Sequence, residues 1–186
     1  GAALANTVTF KSQDNIDRQV IFTANAGLEA VPAVQVPGGQ DVTVAIPQGW
    51  LGNWYAVSEG SPNVPGMLGE VAFNGYADVT FFDVSAIVNP NDMNGVKEIY
   101  PANSASPTSG CQVFPCNNAY YVWDDVQTKA TQENDLICTL GGSNSTSTKR
   151  DMVTPTSTSP SSSATSSSAS GRDRCPIHLG LALSPA

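Results

Sequence analysis

Two carboxylates, Glu70 and Asp83, are the residues of this chain whose surroundings best suit chemistry. They lie within residues 65–90, PGMLGEVAFNGYADVTFFDVSAIVNP, among apolar and turn-forming residues. Alternating apolar positions on either side of Asn74-Gly75 predict two short antiparallel strands joined by a turn. Glu70 is predicted to open the first strand and Asp83 to close the second. Since those two ends lie side by side in a hairpin, one loop edge would present both acids.

Neighbouring acids are the groups that glycoside hydrolysis uses, with one carboxyl protonating the leaving oxygen and the other acting as base or nucleophile. In such an enzyme Glu70 is the candidate acid, and Asp83 is the candidate base or nucleophile. Strand ends also commonly carry plain solvated carboxylates that do no chemistry. The pair therefore leaves two hypotheses open, a glycosidase and a protein that does not catalyse a reaction.

Charge and histidine content exclude several classes of function. The 186 residues include 8 Lys and Arg against 16 Asp and Glu, a net charge of -8. Such a surface repels phosphate backbones, so we expect no nucleic-acid partner. The one histidine, His178, lies far along the tail, which excludes a Ser/His/Asp triad or a His-ligated metal in the domain. We expect no metal and no cofactor, and a metal-assisted nuclease that uses the same acids is only a third hypothesis.

Composition divides the chain into three parts. Residues 1–5, GAALA, carry the small-residue pattern that precedes a signal-peptidase cut and indicate the remnant of a secretory signal, with a disordered start as the alternative. Residues 6–142 hold enough apolar residues for one core and form the predicted domain. Residues 143–186 form a tail whose Ser/Thr-rich segment cannot bury a core, so we predict that it is disordered and O-glycosylated.

The tail carries further signals of an extracellular protein. Asn144 begins an Asn-Ser-Thr glycosylation sequon, and Lys149-Arg150 is a dibasic site at which the tail could be cleaved. The final residues, PIHLGLALSPA, are apolar but too short to span a membrane, and they suit a clipped lipid-anchor signal of the precursor. The sequence therefore predicts a secreted monomer, with the cell wall as a candidate destination.

Short runs of β-branched and aromatic residues, separated by turn residues, predict a domain that is mostly β. The predicted strands are residues 7–10, 19–23, 33–36, 41–46 and 119–123. The first two are expected to pair through a hairpin turn, and the next two repeat the strand-turn-strand pattern. No useful length of sequence has a 3.6-residue apolar period. The predicted fold is therefore an all-β sandwich or barrel.

Six aromatic residues would either stack against sugar rings or fill the core, and they are Trp50, Trp54, Tyr55, Tyr120, Tyr121 and Trp123. Core positions are the interpretation for most of them, since strands routinely bury large aromatic side chains. Residues 91–95, NDMNG, are rich in oxygen ligands but lack the EF-hand spacing, so a solvated turn is preferred to a calcium loop.

The four cysteines are Cys111, Cys116 and Cys138 in the domain and Cys175 in the tail. Secretion favours oxidised cysteines, so we expect a disulfide. Three domain cysteines permit three different single bridges, and the sequence does not choose between them.

Three ordered segments, which together span about residues 7 to 140, resemble the thaumatin-like family, in particular its small fungal secreted members with few cysteines. The segments are VPGGQDVTVAIPQGWLGNWYAVSEG, GMLGEVAFNGYADVTFFDVSAIVNP and CNNAYYVWDDVQTKATQENDLICT. They resemble in turn the family's Pro-x-Gly-Trp and Gly-Arg-x-Trp segment, its Leu-Ala-Glu-Phe strand with Tyr-Asp-Val-Ser, and its Asp-Asp, Thr-x-x-Cys ending. The resemblance implies a thaumatin-like β-sandwich of antiparallel strands.

The resemblance also implies an acidic cleft that binds or slowly hydrolyses β-1,3-glucan, so β-glucan or another cell-wall polysaccharide is the implied partner. Carried over by position, the cleft acids fall on Glu70, on Asp83, and on Asp124 or Asp125. The residues expected to bind the polysaccharide are Asn53, Trp54, Tyr121, Asp124 and Asp125. Some compact relatives carry a DNase-like name, which the acidic charge and the missing histidine do not support.

Two members of that cleft are replaced in this chain. Asn53 stands where the family has arginine, and Val88 stands where it has a second aspartate, with Asp92 the nearest acid. Because an arginine keeps neighbouring carboxylates ionised, its loss should raise the pKa of at least one acid in a buried cleft. The hypotheses are thus a secreted endo-β-1,3-glucanase and, as the alternative, a non-catalytic wall protein or secreted effector.

Overall fold

A computed structural model describes residues 6–142 of the chain. The predictions made for the secretory remnant at 1–5 and for the tail at 143–186, including Asn144, Lys149-Arg150 and the anchor signal, lie outside the described residues. Within 6–142 we find no helix with the length and hydropathy needed to cross a membrane.

The described residues form two β-sheets, which confirms the predicted all-β sandwich. The strands are β1 (Asn6–Ser12), β2 (Arg18–Ala24), β3 (Val34–Val36), β4 (Asp41–Ile46), β5 (Leu51–Ser58), β6 (Leu68–Ala72), β7 (Thr80–Ser85), β8 (Val96–Pro101), β9 (Ser109–Gly110), β10 (Lys129–Thr131) and β11 (Asp135–Leu140). A short 3-10 turn, Tyr76–Asp78, joins β6 to β7.

One sheet has five strands in the order β4-β1-β11-β8-β9, and the other has six in the order β10-β7-β6-β5-β2-β3. Neighbouring strands run antiparallel, except that β1 and β11 are parallel. The terminal strands of the domain therefore lie side by side at the centre of the five-stranded sheet, and β6 and β7 lie next to each other in the six-stranded sheet.

The core lies between the two sheets. Val8, Phe10 and Cys138 of the five-stranded sheet and Trp54 and Phe82 of the six-stranded sheet are fully buried in it. The rings of Phe10 and Trp54 meet edge to face at 5.7 Å between centroids, a favourable aromatic geometry. Because side chains alternate along a strand, the residues between these positions point away from the core.

The predicted hairpin between residues 7–10 and 19–23 is wrong, because β1 and β2 lie in different sheets. The connecting segment crosses from one sheet to the other, and Asp14 within it binds Arg18 at the start of β2 through two hydrogen bonds of 2.7 Å. The strands at 34–36 and 41–46 are likewise divided between the sheets. The turn residues predicted where the chain reverses direction. They did not predict whether the next strand pairs with the previous one or crosses to the other sheet.

The strand predicted at residues 119–123 is also wrong, because only Tyr120 forms a bridge, to Ser85 of β7. The chain turns directly afterwards, since the carboxylate of Asp125 accepts the backbone N–H groups of Tyr121 and Val122 at 2.9 and 3.2 Å. An aspartate that binds nearby backbone N–H groups favours a turn over a strand.

Candidate functional site

Glu70 and Asp83 are direct cross-strand partners in the β6–β7 ladder. The predicted proximity of the two acids is therefore confirmed, but their placement at strand ends is wrong. The pairing continues past Glu70 to Leu68, which faces Ser85, so both acids lie within their strands. The hairpin consequently presents them on the face of a sheet and not on a loop edge.

The two acids belong to a polar row that crosses the six-stranded sheet. Asn53 of β5 pairs with Glu70, which in turn pairs with Asp83. Since their neighbours Trp54, Val71 and Phe82 point into the core, the three polar side chains point to the outer face of the sheet. Asp83 is only 1% exposed and Asn53 8%, whereas Glu70 is half-buried.

Burial decides the charge of this pair. Burial, followed by the charge and hydrogen bond of Asp83, raises the pKa of Glu70 to about 9. Burial also raises the pKa of Asp83 to about 6, against opposing effects from hydrogen bonds with Glu70 and Thr128 and from the charge of Lys129. At neutral pH the pair therefore holds one proton, carried by Glu70 and donated towards Asp83.

The hydrogen-bond inventory of Asp83 agrees with this assignment. Within 6–142, Oδ1 of Asp83 is buried without an N–H or hydroxyl donor, and Oδ2 accepts the Thr128 hydroxyl at 3.4 Å. A buried carboxylate oxygen without a donor is costly. The side chains of Glu70 and Asp83 hydrogen-bond to each other, so a proton held by Glu70 gives the buried Asp83 carboxylate a donor.

Tyr120 and Thr128 connect the acid pair to the loop before β10. The Tyr120 hydroxyl lies 2.8 Å from the Thr128 hydroxyl and accepts the Thr128 backbone N–H at 3.3 Å. Tyr120 is itself fixed to β7, because its N–H donates to Val84 at 2.9 Å and its carbonyl accepts the N–H of Ala86 at 2.7 Å. Sequence reasoning missed Thr128, since no local pattern marks a threonine that meets an acid 45 residues away.

The spacing of the carboxyl groups bears on what they can do. Hydrogen-bonded oxygens lie about 2.5–3 Å apart, whereas retaining glycosidases hold their two carboxyls about 5–5.5 Å apart and inverting ones hold them farther apart. A pair that shares a proton leaves no room for a glycosidic bond between its members. The arrangement instead leaves the half-buried Glu70 as the accessible acid of a pair with a single negative charge.

The remaining residues predicted to bind a polysaccharide are dispersed. Trp54 is 0% exposed and donates its indole N–H to Cys138 Sγ at 3.4 Å, so its prediction as a contact residue is wrong and its core role is confirmed. Tyr121 is half-buried, and its hydroxyl accepts the Cys116 N–H at 3.3 Å. Asp124 is exposed, and no hydrogen bond or ion pair within 6–142 joins it or Asp125 to the acid pair.

The structure shows which two cysteines form the disulfide, a choice that the sequence left open. Cys111 and Cys116 form a disulfide that closes the loop leading to Tyr120. Cys138 is a buried thiol, and burial raises its pKa to about 12. A thiol with such a pKa stays protonated and unreactive, so Cys138 is a core residue.

The oxygen-rich run at 91–95 is a structured turn around Asp92. One carboxylate oxygen accepts the N–H of Met67 at 2.8 Å, and the other accepts those of Asn94 and Gly95 at 2.9 and 3.0 Å. Both oxygens are thereby committed to backbone donors, which does not suit a calcium loop. Within residues 6–142 no group of three or more His, Cys, Asp or Glu side chains is placed to hold a metal ion.

Comparison with known proteins identifies one clear relative. No family model matches the chain. Over 139 residues the chain is 51% identical to antigenic protein SchS21 of Stachybotrys chartarum, a match that covers 75% of this chain and 96% of that protein. The crystal structure of the protein elicitor MoHrip2 from Magnaporthe oryzae matches with a TM-score of 0.52 and 12% identity, over 73% of this chain and 98% of the elicitor. That second likeness shows a shared fold, whereas the first shows that the chain belongs to the family of antigenic protein SchS21.

Proposed function

We propose that the chain is an extracellular protein that recognises hydroxyl-rich cell-wall polysaccharide without cleaving it. The contact surface is the outer face of the six-stranded sheet around the row Asn53, Glu70 and Asp83. The names of the two similar proteins, an antigenic protein and an elicitor, mention no enzymatic activity and are consistent with a non-catalytic protein. A β-glucan is the partner class that the resemblance to thaumatin-like proteins suggests, and that family relationship stays part of the proposal.

The observation that carries this proposal is the direct pairing of Glu70 with Asp83 in a buried part of the ladder. The shared proton limits the pair to a single negative charge, and the half-buried Glu70 offers its carboxyl oxygens to sugar hydroxyl groups. The amide of Asn53 continues the same row with a further donor and acceptor. Polar groups placed on strands hold their geometry better than groups on loops, so the row is suited to recognition.

Hydrolysis by the same residues is the competing function. It requires the two carboxyls to flank a glycosidic bond, and their hydrogen bond does not leave that space. The nuclease hypothesis needs a cluster of metal ligands, and the described residues supply none around Glu70. Neither competing activity therefore has a site as complete as the recognition row.

Binding and cleavage are separated by measuring both on the same polysaccharide. Purified protein is sedimented with insoluble β-1,3-glucan, and reducing-sugar release is followed in parallel for the wild type, Glu70→Gln, Asp83→Asn and an exposed control, Glu29→Gln. We expect retention on the glucan without sugar release, weakened by Asp83→Asn and unchanged in the control. Sugar release that Glu70→Gln abolishes would establish the glucanase instead. Absence of retention would remove the proposed partner.

A further inference from the structure

A groove distinct from the acid row runs along the end of the six-stranded sheet. One part is a cavity of about 380 Å³ where β5 ends, β6 begins and the loop after β7 passes. A second cavity of about 320 Å³ lies beside the start of β2. Both cavities are lined by Val57, Ser58 and Ser61, so they adjoin each other at the end of β5. We call the two cavities together the amide groove, after the side chains that line them.

Neutral amides and hydroxyls dominate the polar lining of the amide groove. Asn89, Asn91 and Asn94 line the larger part, and Gln19 and Gln35 line the smaller one. The two glutamines are direct cross-strand partners, so their amides lie next to each other on one face of the sheet. Each amide offers both donors and acceptors, which is the set that a neutral hydroxyl-bearing ligand needs.

The charged groups of the groove are largely occupied within the protein. Both carboxylate oxygens of Asp92 accept backbone N–H groups. Arg18 is 1% exposed and donates to both oxygens of Asp14 at 2.7 Å. Asp17 accepts the N–H of Gly38 at 2.7 Å through one oxygen, and Asp17 and Glu59 are both exposed acids of the smaller cavity. The two exposed carboxylates repel a phosphate or another anionic ligand, whereas the amides beside them suit a neutral one.

The larger part of the groove is rigidly built. The Arg18 guanidinium donates to the carbonyl of Asn94 at 2.7 Å, and Gly141 donates its N–H to the carbonyl of Gly95 at 2.9 Å. Gly66 and Gly95 both pack closely against the Asp92 carboxylate. A Cβ atom at either position would collide with that carboxylate. The loop is therefore held in its binding shape before a ligand arrives, which lowers the entropic cost of binding.

We infer that the amide groove is a second binding site, which takes a neutral, linear oligosaccharide. Amides and hydroxyls would contact the sugar hydroxyls, and Val57, Val64 and Met93 offer apolar surface to the C–H faces of the rings. Two adjoining cavities fit consecutive sugars along a chain better than a single compact ligand. The inference goes beyond the proposed function, because the groove shares no lining residue with the row of Asn53, Glu70 and Asp83.

Titration of the ¹⁵N-labelled full chain with soluble oligosaccharides tests the inference directly, because side-chain amides give their own resonances. The probes are laminaripentaose, cellopentaose and chitopentaose, with trigalacturonic acid as a charged comparison. We expect at least one neutral probe to shift the amide resonances of Asn91 and Gln35 in a saturable way. The double variant Asn91→Ala/Gln35→Ala should weaken that binding about tenfold or more. Gln40→Ala, an exposed glutamine outside the groove, should leave it unchanged.

Three outcomes would overturn the inference. Shifts confined to residues around Glu70 and Asp83 would support the proposed function and reject the groove. Equal or tighter binding of trigalacturonic acid at the groove would reject its selectivity for neutral sugars. If none of the three neutral probes gives a saturable shift, the groove is rejected as a binding site. Retention on insoluble glucan still tests the row of Asn53, Glu70 and Asp83 separately. Neither side chain replaced in the double variant makes a hydrogen bond within 6–142, so the variant should fold normally.

Discussion

Glu70 and Asp83 face each other across the β6–β7 ladder, and the two carboxyls meet in a site where Asp83 is 1% exposed. Two ionised carboxylates in such a site would repel each other strongly, so the pair retains a proton at neutral pH. Asn53 stands beside Glu70 where a thaumatin-like cleft would have arginine, and the charge of Lys129 only partly opposes the raised pKa of Asp83. The charge and the hydrogen bonding of the row of Asn53, Glu70 and Asp83 follow from this one proton.

The shared proton makes stability depend on pH. The ordinary pKa of Glu70 is 4.5 and its folded value is about 9, so between these values the folded state binds more protons than the unfolded state. The free energy of unfolding should therefore fall as pH rises from about 4.5 to about 9. Asp83, raised from 3.8 to about 6, contributes in the same direction at lower pH.

Urea unfolding of the wild type and of Glu70→Gln across this range checks that dependence. Glutamine can donate to Asp83 but does not titrate, so the variant should lose most of the slope above pH 6 and become the more stable protein at pH 9. Identical slopes in the two proteins would show that Glu70 does not hold the proton.

Removal of the Thr128 hydroxyl should destabilise the protein. The hydroxyl lies between Tyr120 and Asp83, and Thr128→Val would leave both partners short of one hydrogen bond in a partly buried site. We expect a loss of about 1–3 kcal/mol in the free energy of unfolding. Thr43→Val is the matched control, because that hydroxyl meets only the exposed hydroxyl of Thr9. An equal effect in both variants would mean that the Asp83 contact contributes nothing.

Substitutions at Trp54 and Trp123 should separate the core aromatic from the surface one. Trp54→Ala should cost about 3–5 kcal/mol in the free energy of unfolding, because the indole is fully buried against Phe10 and Cys138. Trp123 is 73% exposed, so Trp123→Ala should change stability by less than about 1 kcal/mol. Thermal and urea unfolding measure both variants. The reverse order would contradict the placement of Trp54 between the sheets.

Alkylation followed by peptide mass spectrometry should distinguish the domain cysteines. Cys138 should resist iodoacetamide in the native protein and react once the chain is unfolded, because it is buried and its pKa is raised to about 12. Cys111 and Cys116 should react only after reduction, and they should appear together in one bridged peptide. A bridge from Cys138 to any other cysteine would contradict the structure.

The proximity of Glu70 and Asp83 was predictable from sequence because Asn74-Gly75 marks a turn between two short runs of partly alternating residues. Apolar residues such as Val71 and Phe82 fix one face of each strand, which sends Glu70 and Asp83 to the other face. The length of the strands was not predictable, because Leu68 and Ser85 pair beyond the acids without a distinctive pattern. Strand ends depend on tertiary contacts more than on local propensity.

The connections between the two sheets and the loop before β10 could not be predicted from the sequence and are known only from the structure. Asp14 and Arg18 read as ordinary polar residues of a turn, yet they form the buried ion pair at the crossing from β1 to β2. Thr128 reaches Asp83 only because Tyr120 bridges to β7 and fixes the loop. Such contacts join residues far apart in the chain, and local sequence patterns do not encode them.

The most direct test of the account is a ¹³C NMR titration of the side-chain carboxyls of Glu70 and Asp83. We expect a midpoint near 9 for Glu70 and near 6 for Asp83, each responding to the titration of the other. Midpoints for both groups near their ordinary values of 4.5 and 3.8 would show two independent carboxylates. That result would contradict the shared proton and, with it, the recognition row as described.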